Sequence, residues 1–418
     1  MRNAVLLIGR PDASATIVVR GDRSAASGGN RGRVAGSFPR LRRRAAGVGF
    51  TAAALAASLT ACGGDAAVDS AGRTPTATGV NVSEESAKVL IQNMADAKAD
   101  ALASGDARAY GKYFRSAVWP AVDPALAADD PAALERMAAA MARSHMTVVD
   151  HTATVTALTT VVGSDEALMT YTVEWTMWFA MDGVALPQPS EERMAYLAKA
   201  QTIDGTPIIT ELRPVVESGS GEDQGNAPGP VDLGLVPTAG DDADIGDALG
   251  QHLLSYQTNL ATAYADKYAL SYNSAYRTNP LGGDCANFVS QSLFAAKRPF
   301  MNGSKDSNAA WWYDSGWFGT QSYTWGGAKN LFANLTLYSY GMSVSSAMNA
   351  LPGDLIFADW QPDNTVDHAM IVSQRICSGT SWGCVLIDQH TNDYLRRPMN
   401  LIVANNPTAR FYIIRPSF

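Results

Sequence analysis

Clustered positive charge is the first thing this chain lacks: 32 Lys and Arg stand against 40 Asp and Glu, a net charge of −8, and the basic cluster sits near the start at Arg40, Arg42, Arg43 and Arg44. A protein that grips nucleic acid through its phosphates needs many clustered cations, so the composition argues against that class. Cysteine is scarce as well. The four at Cys62, Cys285, Cys377 and Cys384 are too few and too unevenly placed for a disulfide framework or a four-cysteine zinc site. Each therefore needs its own explanation, and neither a metal nor an organic cofactor is expected. Long apolar runs are also missing, since the Ala-rich stretch 45–59 falls short of the roughly 20 residues a membrane-crossing helix needs. A chain of 418 residues exceeds one ordinary domain, so two domains are expected, each with its own core.

The basic cluster and the apolar run that follows it lead into Leu59, Thr60, Ala61, Cys62 and Gly63. A charged region, a short apolar region and a small-residue site form the layout of a secretory signal. The segment resembles a bacterial lipoprotein signal, which implies cleavage before Cys62 and a lipid on its thiol. The expected location is the outer face of a bacterial cell membrane, reached through that lipid anchor. Residues 1–33 fit no signal layout and suggest an over-extended start, so residues 1–61 are read as a signal region. Residues 62–81, rich in Ala, Gly, Thr, Asp and Ser, read as a lipid-attached tether.

From Ser83, a candidate helix cap, apolar residues recur at helical spacing through Val89, Leu90, Met94, Ala97, Ala101 and Leu102. A second helix is predicted around Leu134, Met137, Ala138 and Met141. Strand-like runs follow at 146–158, 167–181, 193–203 and 207–215, separated by Gly- and Asp-containing turns. Helices before a meander make residues 82–217 an α+β accessory domain, topologically similar to the curved sheets of SnoaL-like and cystatin-like folds. His145 and His151 have no carboxylate cluster near them in sequence and read as surface or packing residues. Residues 218–244, dense in Gly, Pro, Asp and Ser, read as a linker, and residues 245–418 as a second domain opening on a helix over 249–270.

Within that second domain, Gly282-Gly283-Asp284-Cys285-Ala286-Asn287-Phe288-Val289-Ser290-Gln291 reads as a Gly turn, an Asp N-cap and a helix. Cys285 then lies in the first helical turn, where unpaired N–H groups and the helix dipole favour a thiolate and could hold an oxyanion. A thiolate nucleophile needs a base. His368 opens a predicted strand and His390 ends the next one, 385–390. If the two stand opposite each other across a hairpin, the second imidazole can orient the first. That register pairs residues whose numbers sum to 758, whereas Cys377 and Cys384 sum to 761. Either the ladder ends before Cys377 or a bulge intervenes. A disulfide across this short loop is expected, because the spacing lacks the second pair a zinc site would need. The aromatic stretch Trp311, Trp312, Tyr313, Trp317, Phe318, Tyr323 and Trp325 reads mostly as core, with one or two rings available to wall a cleft beside Cys285.

These motifs resemble a known family. Gly283-Asp284-Cys285-Ala286-Asn287-Phe288-Val289-Ser290-Gln291, Tyr323-Thr324-Trp325, Pro352-Gly353-Asp354, Asp367-His368 and Gln389-His390-Thr391-Asn392-Asp393 are similar to the "Putative amidase domain" family, relatives of the NlpC-like and CHAP-like papain-fold hydrolases. The resemblance spans about residues 264–418. It implies a papain-like fold with Cys285 as nucleophile, His368 as base and His390 as the third residue, Asn392 being held in reserve for that role. It also implies cell-wall peptide or amide bonds as substrate, with peptidoglycan or a peptide as partner to a monomeric enzyme. The segment bounded by Cys377 and Cys384 reads as an insertion. The competing reading is a catalytically silent papain-like module that binds cell-wall glycopeptide.

Overall fold

The computed structural model describes residues 82–114, 130–162, 166–203, 205–215, 256–278, 283–315, 320–379 and 381–418. The signal region, Cys62, the tether and the linker 218–244 lie outside the described residues. All described residues belong to one compact unit, 75–418.

The first half is an α+β layer. A helix over Glu84–Ser104 starts where Ser83 Oγ accepts the Ser86 amide at 3.1 Å, so the predicted cap is present. A second helix, Pro131–Arg143, is capped by Asp130 and has Pro in its first turn, where no N–H is needed. The meander follows as β1 (Met146–Val162), β2 (Ala167–Met181), β3 (Val184–Ala185), β4 (Ser190–Ile203) and β5 (Thr206–Pro214). In β2 every second residue from Ala167 through Met169, Tyr171, Val173, Trp175 and Met177 to Phe179 is buried, the period-two pattern of a strand with one face on the helices.

In the second half, β6 (Tyr313–Asp314) and β7 (Thr320–Gln321) form a small separate ribbon, and helices Thr258–Tyr268, Cys285–Ala295 and Ala328–Leu337 cover one face of a sheet made of β8 (Gly341–Val344), β9 (Leu355–Asp359), β10 (His368–Arg375), β11 (Val385–Gln389), β12 (Asp393–Pro398) and β13 (Arg410–Pro416). The central strands are buried on both faces. Leu355, Phe357, Ala369 and Ile371 point to the helices just named, while Ile356, Ala358, Met370 and Val372 join the core of the first half. The two halves share one sheet, in the order β1-β2-β4-β12-β11-β10-β9-β13-β8. The join is antiparallel, with Asp393, Tyr394 and Leu395 of β12 against Arg193, Glu192 and Glu191 of β4.

A charge cluster sits at this join. Buried Glu192 takes an ion pair from Arg397, and Lys98 lies 3.4 Å from its other oxygen and over the Trp175 ring. Burial works against the Glu192 carboxylate, yet Arg397 and Lys98 together hold its proton affinity below the usual range. The predicted turn before β9 is also specific. Gly353 has φ +91°, and a side chain there would press on Thr258 and the Tyr256 hydroxyl, which donates to the Gly353 carbonyl at 2.7 Å. Asp354, next in the chain, is buried and accepts two bonds from the Arg415 guanidinium.

Candidate active site

Cys285 is the first residue of its helix and only 4% exposed. Gly283 enters the helix with φ +54°, the left-handed conformation that the expected glycine turn requires. Asp284 occupies the cap position as predicted, but its side chain makes no capping bond. Its carboxylate accepts instead from Asn287 Nδ2 at 2.7 Å and lies 2.7 Å from His390 Nδ1. With the carboxylate turned away, first-turn amides are left for the sulfur. Burial pushes the Cys285 thiol up to about 11, outweighing three N–H groups, of Ala369, Ala286 and Cys285 itself, that favour the thiolate. The helix start by itself leads one to expect a lowered thiol pKa. Desolvation reverses that expectation in this closed geometry.

The Ala369 amide that reaches the Cys285 sulfur belongs to the residue after His368, so the start of β10 lies against the start of the Cys285 helix. His368 opens β10 as expected, is 6% exposed and packs its ring 5.6 Å from that of Trp360. Burial drives its pKa down to about 4, against a side-chain contact with Gln389 that raises it. Burial thus favours a neutral thiol at Cys285 and a neutral imidazole at His368.

His390 does not stand opposite His368. β10 and β11 pair Ile371 with Asp388, one step off the anticipated register, which sets His390 across from Ala369 if the ladder is continued. The His390 ring is fully engaged elsewhere, Nδ1 with Asp284 and Nε2 with the Tyr268 carbonyl at 2.8 Å. It is clasped between the Phe288 and Tyr272 rings, with centroids at 4.2 and 4.1 Å. Burial disfavours its cation, but the Asp284 bond and the Asp393 charge raise its pKa above the ordinary value. His390 therefore braces Asp284, the residue before Cys285, and both its ring nitrogens are engaged away from His368. Sequence spacing could not show this, because a one-residue slip moves a strand residue to the opposite face.

The Gln389–Asp393 segment is used residue by residue. Gln389 Nε2 donates to the carbonyls of Thr391 and Asn392 at 3.1 and 2.9 Å. Thr391 Oγ1 accepts the Asp284 amide at 2.9 Å, and Asp393 accepts the Tyr272 hydroxyl at 3.1 Å. Burial lifts the Asp393 carboxyl to about 6. Asn392, the reserve choice for the third role, contributes its backbone carbonyl here.

Two rings of the aromatic stretch, expected to be mostly core, brace the Cys285 helix from behind. Trp311 and Trp325 are fully buried, and their indole N–H groups donate to Ser290 Oγ at 3.1 Å and Asn287 Oδ1 at 2.7 Å on the buried side of the Cys285 helix. Gln291 of the same helix accepts the Tyr264 hydroxyl, which in turn accepts from Asn273. Polar residues at helical spacing in an otherwise apolar helix were the available signal for these contacts.

Cys377 and Cys384 form a disulfide. A bulge between Val372 and Gln374 shifts the pairing sum from 759 at Ile371–Asp388 to 760 at Gln374–Leu386, after which the bridge closes an irregular tip. Cys285 is the free cysteine among the described residues. No group of three or more His, Cys, Asp or Glu side chains among the described residues is arranged to hold a metal ion.

Comparison with known proteins finds similar segments. An uncharacterized protein, YhbB, of Bacillus subtilis (strain 168) is 34% identical over 116 residues, which are 27% of this chain and 35% of that protein. This chain thus spans about a third of that relative's length. Among solved structures, the Kfla4162 protein from Kribbella flavida is similar at 14% identity over 32% of this chain and 91% of its own, with a TM-score of 0.23. A family match covers the half that carries Cys285, His368 and His390: residues 255–414 match the family described as "Putative amidase domain", which makes amide-bond hydrolysis the chemistry this segment resembles.

Proposed function

We propose that residues 256–418 form a cysteine hydrolase that cleaves amide or peptide bonds, with Cys285 as nucleophile and His368 as general base. The observation that carries this reading is the sulfur at a helix start, facing the first-turn amides and the amide of Ala369, the residue after the imidazole. Because burial keeps the thiol protonated and the imidazole neutral, the proton moves as the bond forms and no thiolate is stored. His368 takes the thiol proton while the sulfur adds to the carbonyl carbon, and gives it to the departing amine as the carbon–nitrogen bond breaks. Water then attacks the acyl-enzyme. His368 accepts the water's proton and returns it to the sulfur, releasing a carboxylic acid and the free thiol. The amides of Cys285 and Ala286 are the nearest donors for the intermediate's oxyanion.

On this reading the chain is an exported lipoprotein held by Cys62 at the outer face of the membrane, where cell-wall peptidoglycan is the substrate within reach. The 4% exposure of Cys285 favours a second reading, a catalytically silent module that binds glycopeptide. Incubation with purified peptidoglycan and mass spectrometry of the fragments separates the two. The enzyme releases new amine and carboxyl ends that Cys285→Ser does not, and identical profiles for both proteins would reject hydrolysis of that substrate.

A further inference from the structure

With His390 committed to Asp284 and Tyr268, another side chain must set the tautomer of His368. A neutral imidazole can serve as base toward Cys285 only if its other nitrogen carries the proton, and a buried N–H needs an acceptor.

Two buried polar atoms on the neighbouring strands β10 and β11 lack a hydrogen-bond partner among the described residues: His368 Nε2 and Gln389 Oε1. They are complementary, one able to donate and the other to accept. They are also neighbours on one face of the sheet. One step beyond the Ile371–Asp388 pair brings Met370 across from Gln389, and His368 lies two residues before Met370 on the same face. The contact between the two side chains favours the protonated imidazole.

The orientation of the Gln389 amide is fixed by its other end. Both hydrogens of Nε2 are used, on the Thr391 and Asn392 carbonyls. Those two residues have φ of +65° and +63°, a backbone conformation that L side chains seldom adopt, and it turns two carbonyls toward one amide. A flipped amide would set Oε1 against two carbonyl oxygens. Gln389 thus presents an acceptor and nothing else toward the histidine, and at 4% exposure it has little water to compete with.

We propose that Gln389 is the positioning residue of this site: its side-chain oxygen faces His368 Nε2, holds the proton on that nitrogen and leaves Nδ1 as the lone pair that accepts the Cys285 proton. The contact is loose in the resting geometry and shortens when the imidazole becomes a cation, so its effect is largest as the proton transfers. His390, in contrast, holds Asp284 and so the helix start. This assignment rests on the Cys285–His368 reading and extends it.

Nitrogen-15 NMR of the imidazoles in the wild-type protein at neutral pH tests the tautomer directly. The expected result is His368 with its proton on Nε2 and a bare Nδ1, and the reverse tautomer overturns the proposal without any variant. A kinetic arm compares alkylation of Cys285 by iodoacetamide, followed by intact mass, in wild type, His368→Ala and Gln389→Met, the last keeping side-chain volume without an acceptor. Loss of one hydrogen bond to a developing cation predicts a fall of about 10- to 150-fold in the His368-dependent rate of Gln389→Met, with the tautomer preference lost in its spectrum. If His368→Ala alkylates as fast as wild type, the Cys285–His368 reading itself fails and this proposal falls with it. If His368→Ala is slow while a folded Gln389→Met matches wild type in rate and tautomer, the dyad stands and the role of Gln389 is refuted.

Discussion

Lowering the pH should destabilise this protein through His368, by an amount the structure sets. In an unfolded chain its imidazole titrates near the ordinary 6.5, whereas burial holds the folded value near 4. The folded pKa is depressed, so the contribution is fully present above 6.5 and is lost as pH falls, because the unfolded chain binds a proton that the folded chain refuses. Between pH 7 and pH 4 the loss amounts to about 3 kcal/mol, with a slope approaching one proton per molecule near pH 5. Other groups pull in the opposite direction. Asp393, lifted to about 6 by burial, contributes stability that is present at low pH and lost as pH rises through that value. The measurement is therefore a difference: urea unfolding at several pH values for wild type and for His368→Gln, which removes the imidazole and keeps a polar side chain of similar reach. Wild-type stability minus that of His368→Gln should fall by about 3 kcal/mol from pH 7 to pH 4. Parallel curves would show that the imidazole is not held neutral, and the argument for a neutral thiol–imidazole pair would fail with it.

Four further outcomes are expected. Asp284→Ala leaves His390 Nδ1 without its buried carboxylate partner and takes one of two acceptors from Asn287 Nδ2, the Arg277 carbonyl remaining, and should cost about 3 kcal/mol or more in urea unfolding, an unchanged midpoint counting against the brace. Glu192→Ala strands Lys98 and Arg397 at the join of the two halves, and a loss of roughly 4 kcal/mol by chemical unfolding is expected. Replacing Cys377 and Cys384 by alanine opens a loop of seven-residue separation, which by chain entropy should lower stability by about 2 kcal/mol in thermal or urea unfolding. Since burial sets the Cys285 thiol near 11, alkylation of the His368→Ala variant should rise about tenfold per pH unit from pH 7 to 10. A plateau near pH 8.5 would mean that the thiol is solvated like a free cysteine.

The sequence carried most of the fold because its local signals agree with one another. Ser83 and Asp130 cap helices, β2 alternates apolar and polar residues along its length, and Pro352-Gly353 turns the chain into β9 at a position where only glycine fits against Thr258. That Cys285 begins a helix and His368 begins a strand was legible in the residue order. The neighbour of His368 on the next strand was not. Whether His390 or Gln389 meets His368 depends on a one-residue register set by the Val372–Gln374 bulge and by the turn at Thr391 and Asn392, and neither leaves a mark in the alternation of residue types. The aromatic stretch shows the same limit. Trp311 and Trp325 read equally well as cleft wall or core until Asn287 and Ser290 are seen to receive their N–H groups.

By itself, the order of residue types determined that helices precede a meander, that Cys285 begins a helix and that His368 begins a strand, since these follow from caps, periods and turns within a few residues of each other. Only the tertiary structure decided the protonation state and the partners. Desolvation of Cys285 and His368 depends on segments far apart in the chain, the Asp284–His390 pair bridges 106 residues, and one continuous sheet joins β4 to β12. Burial and long-range hydrogen bonding are properties of packed surfaces, and no local stretch of sequence contains them.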